Sequence, residues 1–187
     1  DEVYEFLTFD EQRHIPFATL PDMHDRSLTI SSTGKTFGMT GWKIGYTLAS
    51  ETLTEAVRTV HQFATFAVNT PGQYAMAHAL DRLEDYIPVF RTLYSDKRDL
   101  LENGLQDSAL TAHRPEGTYF MMVSLPADAG MDDVQWSLRL VKEHGVAVIP
   151  PSVFYSRGTE GKSMLRLCFA KTDETLHAGI SRLQQGF

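Results

Sequence analysis

Four glycines and one lysine set the strongest constraint on how this chain can fold. The apolar run Leu28 to Ile30 leads into Ser31-Ser32-Thr33-Gly34-Lys35-Thr36-Phe37, and Gly38, Gly41 and Gly45 follow closely. Each glycine in a helix interior costs about 1 kcal/mol relative to alanine, so no long helix can start at the lysine. The pattern instead predicts a short buried strand over Leu28 to Ser32, a polar turn that presents Lys35, and a second strand over Ile44 to Leu48. A lysine at such a strand end lies close to packed backbone, where its amine can be desolvated. A desolvated, neutral amine is a nucleophile toward carbonyls. That is what a Schiff-base lysine requires.

Gly34-Lys35-Thr36 also invites comparison with a phosphate-cradling nucleotide loop. That loop needs a glycine well before the lysine and a long helix directly after it. The required earlier position is Thr29, and the glycines interrupt the helix. The nucleotide-hydrolase reading is therefore rejected.

Composition narrows the class further. A net charge of -7 with no block of Lys or Arg argues against a nucleic-acid surface. No apolar stretch approaches the roughly 20 residues that span a bilayer, and no signal peptide is recognisable. The single cysteine, Cys168, has no internal partner for a disulfide, which fits a reducing, cytoplasmic location. The seven histidines show no metal-ligand spacing, so no metal is assigned. The opening Asp1-Glu2-Val3-Tyr4-Glu5 reads as though it began inside an element, which predicts a piece of a longer protein.

Along the rest of the chain, Asp1 to Asp25 is expected to be a strand end and a loop. Helical spacing covers Glu51 to Phe63, and Thr70-Pro71 reads as an N-cap with proline at the first helical position. A long helix is expected from about Ile87 to Gln106, with Arg91, Lys97, Arg98 and Glu102 as its solvated face. Strands are expected over Gly117 to Leu125, Val146 to Ile149 and Met164 to Ala170. A helix over Asp132 to Glu143 should close at His144-Gly145, and Thr172 should cap a last helix through Leu183. The class is α/β: the end of a large domain over 1–86, a connecting helix over 87–106, and a small domain over 107–187.

Four motifs then fall in one order along the chain: Asp1-Glu2-Val3-Tyr4, Ser32-Thr33-Gly34-Lys35, Gly41-Trp42-Lys43-Ile44-Gly45 and Arg166-Leu167-Cys168-Phe169-Ala170. In that order and spacing the chain resembles the class I and II aminotransferases of the aspartate-aminotransferase fold, which use pyridoxal 5'-phosphate (PLP). Lys43, Val60-His61-Gln62, Phe66-Ala67-Val68-Asn69-Thr70-Pro71 and Cys168-Phe169-Ala170-Lys171 are most similar to the methionine and kynurenine aminotransferase branch. The resemblance implies the C-terminal part of the PLP-dependent transferase type I fold. The ring-stacking aromatic, the asparagine beside the cofactor hydroxyl and the first phosphate loop would all belong to a missing N-terminal half.

The resemblance also implies roles. Lys35 would bond PLP through its amine and then act as the general base that moves the substrate's Cα proton. Asp1 would pair with the pyridine nitrogen, Tyr4 with the 3' oxygen, and Ser32 and Lys43 with the phosphate. Arg166 would bind the substrate α-carboxylate; a structural salt bridge is the competing reading, since a guanidinium in an apolar strand needs a partner. Phe66 would reach a neighbouring subunit's substrate pocket in a homodimer, with core packing as its alternative. Trp42 is expected to pack behind the cofactor, and Tyr119 and Phe120 to be structural. The implied reaction is transamination between an amino acid, methionine or an aromatic one, and a 2-oxo acid. A PLP-dependent carbon–sulfur β-lyase and a catalytically silent remnant stay open as alternatives.

Overall fold

The structure is a computed structural model that describes residues 1–156 and 158–187. The chain forms two compact units, Asp1–Arg91 and Thr92–Phe187.

In the first unit, strand β1 (Leu28–Ser32) pairs antiparallel with β2 (Gly45–Ala49), from Leu28 opposite Ala49 to Ser32 opposite Gly45. The hairpin closes at Gly45 because a side chain there would press to 3.0 Å from the Ser31 carbonyl. Between the strands lie a one-turn helix, α1 (Thr33–Thr36), and a 3-10 turn over Thr40–Trp42. Helix α2 (Glu51–Ala64) is amphipathic, yet it buries no residue, and Phe63 is 84% exposed. Helix α3 (Thr70–Leu80) is capped by Asn69, whose side chain accepts from the Gly72 N–H at 3.0 Å. The cap is thus one residue earlier than expected, and Thr70 opens the helix itself. The N-terminal stretch is a turn followed by 3-10 segments, not a strand end.

Helix α4 (Leu83–Gly104) carries the chain from one unit to the other and holds Pro88 in its interior. It begins a turn before Ile87. A proline has no N–H to give, but in the second turn of a helix only one backbone bond is forfeited.

The second unit is a three-stranded antiparallel sheet, β3 (Thr111–His113), β4 (Phe120–Ser124) and β5 (Met164–Cys168), in that order. Helix α5 (Asp133–Arg139) continues as a wide turn over Leu140–His144 and stops at Gly145, whose φ of 66° is left-handed. Helix α6 (Asp173–Gly186) is capped by Thr172, as expected. Alternation along the strands sends Met121, Val123, Leu165 and Leu167 into a core with Leu101, Leu105, Leu140 and Phe169. Arg166 therefore projects from the other face, where Phe120 also lies. Three expectations fail here. The segment 146–149 is not a strand; it touches the sheet through one bridge, Ile149 to Arg166. Strand β3 went unforeseen because three residues carry no period.

The third failure is Arg98, which is only 1% exposed. Its guanidinium donates to Asp99 Oδ1 at 3.0 Å and to the Pro115 carbonyl at 3.3 Å, and it lies 3.4 Å from Ser95 Oγ. A buried arginine is tolerable only when its donors are satisfied in this way. No helix among the described residues is long and apolar enough to cross a membrane.

Candidate active site

Lys35 sits half-buried on α1, directly after β1, and every residue around it is tied down. Ser32 caps the turn, its Oγ accepting from the Gly34 N–H at 3.3 Å. Thr33 is buried and donates from N and Oγ1 to the Ile44 carbonyl, at 3.3 and 3.2 Å. Thr40 Oγ1 donates to the Gly34 carbonyl at 2.8 Å. The Tyr86 hydroxyl donates to the Thr36 carbonyl at 2.7 Å, with its ring 5.1 Å from Phe37 and 5.5 Å from Phe90. Burial pushes the Tyr86 phenol above its ordinary value, which keeps it a donor.

The segment bearing Asp1 and Tyr4 lies against the same hairpin. Glu2 N–H donates to the Ile30 carbonyl at 2.8 Å. Glu5 Oε1 accepts from Ser31 Oγ at 2.6 Å and from the Tyr46 hydroxyl at 2.8 Å, gripping a residue pair that faces across β1 and β2. Asp1 is exposed and its Oδ1 accepts from the Val3 N–H at 3.1 Å; Tyr4 is half-buried. Lys43 is exposed, joined to the Lys35 turn through Ile44, and holds a left-handed φ of 56°. A non-glycine residue in that region stores about 1 kcal/mol or more of strain, which is common at binding sites. The segments of Asp1, Tyr4, Ser32, Lys35 and Lys43 are thus tied to one hairpin.

Phe66 does not join them. It lies at the end of α2 with φ 66°, 84% exposed, beside Glu55, Arg58, His61 and Gln62. Its ring is therefore not packed into the core of either unit of this chain. Trp42 is 54% exposed.

Arg166 belongs to the second unit. Its backbone exchanges hydrogen bonds with Ile149, at 2.9 and 3.1 Å. Its guanidinium carbon lies 4.2 Å from the centre of the Phe120 ring and 4.8 Å from that of Phe154. Nε is buried and has no hydrogen-bond partner among the described residues. No ion pair engages Arg166 among those residues, so two aromatic rings stand where a structural salt bridge was the competing expectation.

Residues 1–183 match the family described as aminotransferase class I and II. The chain belongs to that family. Methionine aminotransferase of Escherichia coli (strain K12) is 43% identical over 99% of this chain and 48% of its own length. Kynurenine–oxoglutarate transaminase of Dictyostelium discoideum is 40% identical over 98% of the chain and 47% of its length. Among solved structures, N-succinyldiaminopimelate aminotransferase from Mycobacterium tuberculosis superposes with a TM-score of 0.94 at 37% identity, over 100% of this chain and 49% of that one. The fold is accordingly the α/β fold of these PLP-dependent enzymes, and the chain spans about half the length of the relatives it matches.

The donors around α1 suit a phosphorylated aldehyde. The Ser32 hydroxyl accepts from Gly34 and keeps its own proton to donate, and Lys43 offers an exposed cation. Glu5 escaped the sequence reading because a lone Glu carries no pattern. Phe154 escaped it, and Phe120 was read only as structural, because their partner Arg166 is distant in sequence.

Glu2 anchors the Asp1 segment through its Oε1, which accepts from the Phe17 N–H at 2.8 Å, and its Oε2, 3.0 Å from His14 Nε2. Burial works to raise its pKa, but the bonds from His14 and Phe17 outweigh it and the net shift is downward from 4.5. A depressed carboxylate stabilises the fold above its unfolded value and loses that contribution as pH falls through the folded value. Thermal unfolding followed from neutral pH to below 4.5 should show that acid loss, and Glu2→Gln should flatten it; an unchanged profile would remove Glu2 as an anchor.

Proposed function

We propose that this chain is the C-terminal portion of a PLP-dependent aminotransferase that moves an amino group from methionine or an aromatic amino acid to a 2-oxo acid. The observation that carries the reading is that the segments of Lys35, of Asp1–Tyr4 and of Lys43 are all tied to one hairpin. The likeness to methionine and kynurenine aminotransferases supports the substrate class.

PLP, when bound, supplies an electron-poor ring that accepts the electron pair freed at the substrate's Cα. Lys35 would hold the cofactor through its amine and would serve as the base for the substrate's Cα proton. Asp1 would pair with the pyridine nitrogen and keep it protonated, and Tyr4 would donate to the ring oxygen. Ser32 and Lys43 bind the phosphate. Arg166 fixes the substrate by its α-carboxylate through paired N–H bonds.

The exposed apolar residues of the first unit, Leu28, Ile30, Leu48, Val60 and Phe63 among them, support a further proposal. Leu28 and Ile30 lie on one face of the hairpin and Leu48 on the other, so exposed apolar side chains occur on both of its faces, and apolar surface left open in this way is a candidate interface. We assign it to the remaining half of the enzyme and to a second subunit, whose substrate pocket the exposed Phe66 would reach. The full-length protein loaded with PLP should form glutamate from 2-oxoglutarate when given methionine. Release of pyruvate and ammonia from a cysteine conjugate, with no oxo acid required, would instead establish the carbon–sulfur β-lyase.

A further inference from the structure

Asp133 has a carboxylate that its own helix does not need. The N-terminus of α5 is already capped by Asp132, whose Oδ1 accepts from the Gln135 N–H at 2.9 Å while Gln135 Oε1 accepts from the Asp132 N–H at 3.1 Å. Asp133 is nonetheless fully buried, at 0% exposure. A buried carboxylate is costly without hydrogen bonds, so its presence calls for a reason.

Its bonds supply one. Oδ2 accepts from the Ser152 N–H at 2.8 Å, and the Asp133 N–H donates to the Lys162 carbonyl at 2.9 Å. One residue of α5 therefore grips both the turn over Pro151–Phe154 and the stretch just before β5. Gly161 closes the same junction: its φ is +77°, and a side chain there would lie 2.8 Å from Ser152 N. The turn so held carries Phe154, which is 62% exposed and sits over the Arg166 guanidinium.

We infer that Asp133 is a positioning residue for the substrate's carboxylate: it locks the Pro151–Phe154 turn so that Phe154, with Phe120, holds the Arg166 guanidinium by its face and leaves its N–H edges for a carboxylate. The inference rests on the reading of Arg166 as the carboxylate receptor. Arginine's fork binds two oxygens well only when it is pre-oriented, and stacking on rings restricts its rotation without occupying its donors. Phe120 is itself aimed by Thr118, whose φ is +65° and whose Oγ1 accepts from the Phe120 N–H at 3.1 Å.

The test uses the PLP-loaded full-length protein and hexanoate, a monocarboxylate with no amine. Asp133→Ala should raise KM for both the amino acid and the oxo acid about tenfold while kcat changes less than about twofold. Hexanoate affinity, measured by calorimetry, should fall by the same factor. Asp133→Asn retains an oxygen for Ser152 and should restore most of it. Phe154→Leu should reproduce the loss at an exposed position that leaves the core intact, and it carries the test alone if Asp133→Ala unfolds. Hexanoate binding unchanged in Phe154→Leu would overturn the inference, as would failure of Asp133→Asn to rescue a folded Asp133→Ala. If Arg166→Ala leaves hexanoate binding intact, the receptor reading itself is lost; if Arg166→Ala abolishes it while Asp133→Ala and Phe154→Leu do not, only the positioning role is lost.

Discussion

Lys35→Ala is expected to abolish transamination in the PLP-loaded full-length protein, by at least about a thousandfold, the upper range of what a positioned general base supplies. The visible absorbance of cofactor joined to a lysine should disappear with it. Folding should be little affected, because the bonds that hold α1 come from Ser32, Thr33, Thr40 and Tyr86 and none needs the lysine side chain. PLP should still bind through Ser32 and Lys43, more weakly. Lys35→Arg should fail as badly as alanine, since a guanidinium stays charged and offers no free electron pair. Retention of the lysine-linked absorbance in either variant would remove Lys35 from the chemistry.

The local elements were legible in the residues because short-range physics decides them. Strand β1 falls on Leu28 to Ser32 as read, and β2 is one residue later than expected because Gly45, not Ile44, faces Ser32. What was not legible depends on contacts between distant residues. Asn69 outcompetes Thr70 as a cap because its side chain reaches the Gly72 N–H. Arg98 reads as a surface residue by helical spacing, but the Pro115 carbonyl, brought in from the next loop, gives its guanidinium a buried partner. The segment 146–149 has strand-like composition, yet Pro150 and Pro151 follow immediately and allow a single bridge rather than a ladder. The same limit applied at the site. Lys35 announced itself through its turn, while the rings that flank Arg166 became visible only when β4 and the Pro151–Phe154 turn were placed beside β5.

That arrangement around Arg166 carries the second large effect. Arg166→Ala should raise KM for amino-acid substrates on the order of a hundredfold, in line with the roughly 2–5 kcal/mol lost when one partner of a desolvated charge pair is truncated. Cofactor absorbance should be unchanged. The fold should survive, because among the described residues no carboxylate relies on this arginine; the ring contacts forfeited are worth about 1–2 kcal/mol. Arg166→Lys should recover only part of the affinity, since an ammonium keeps the charge but neither binds a carboxylate through two parallel bonds nor lies flat on Phe120. The contrast between the two variants separates charge from geometry. If alanine at 166 instead unfolds the protein while lysine preserves both fold and full affinity, the guanidinium is a structural group and the carboxylate receptor must be sought elsewhere on the half-open face of the sheet.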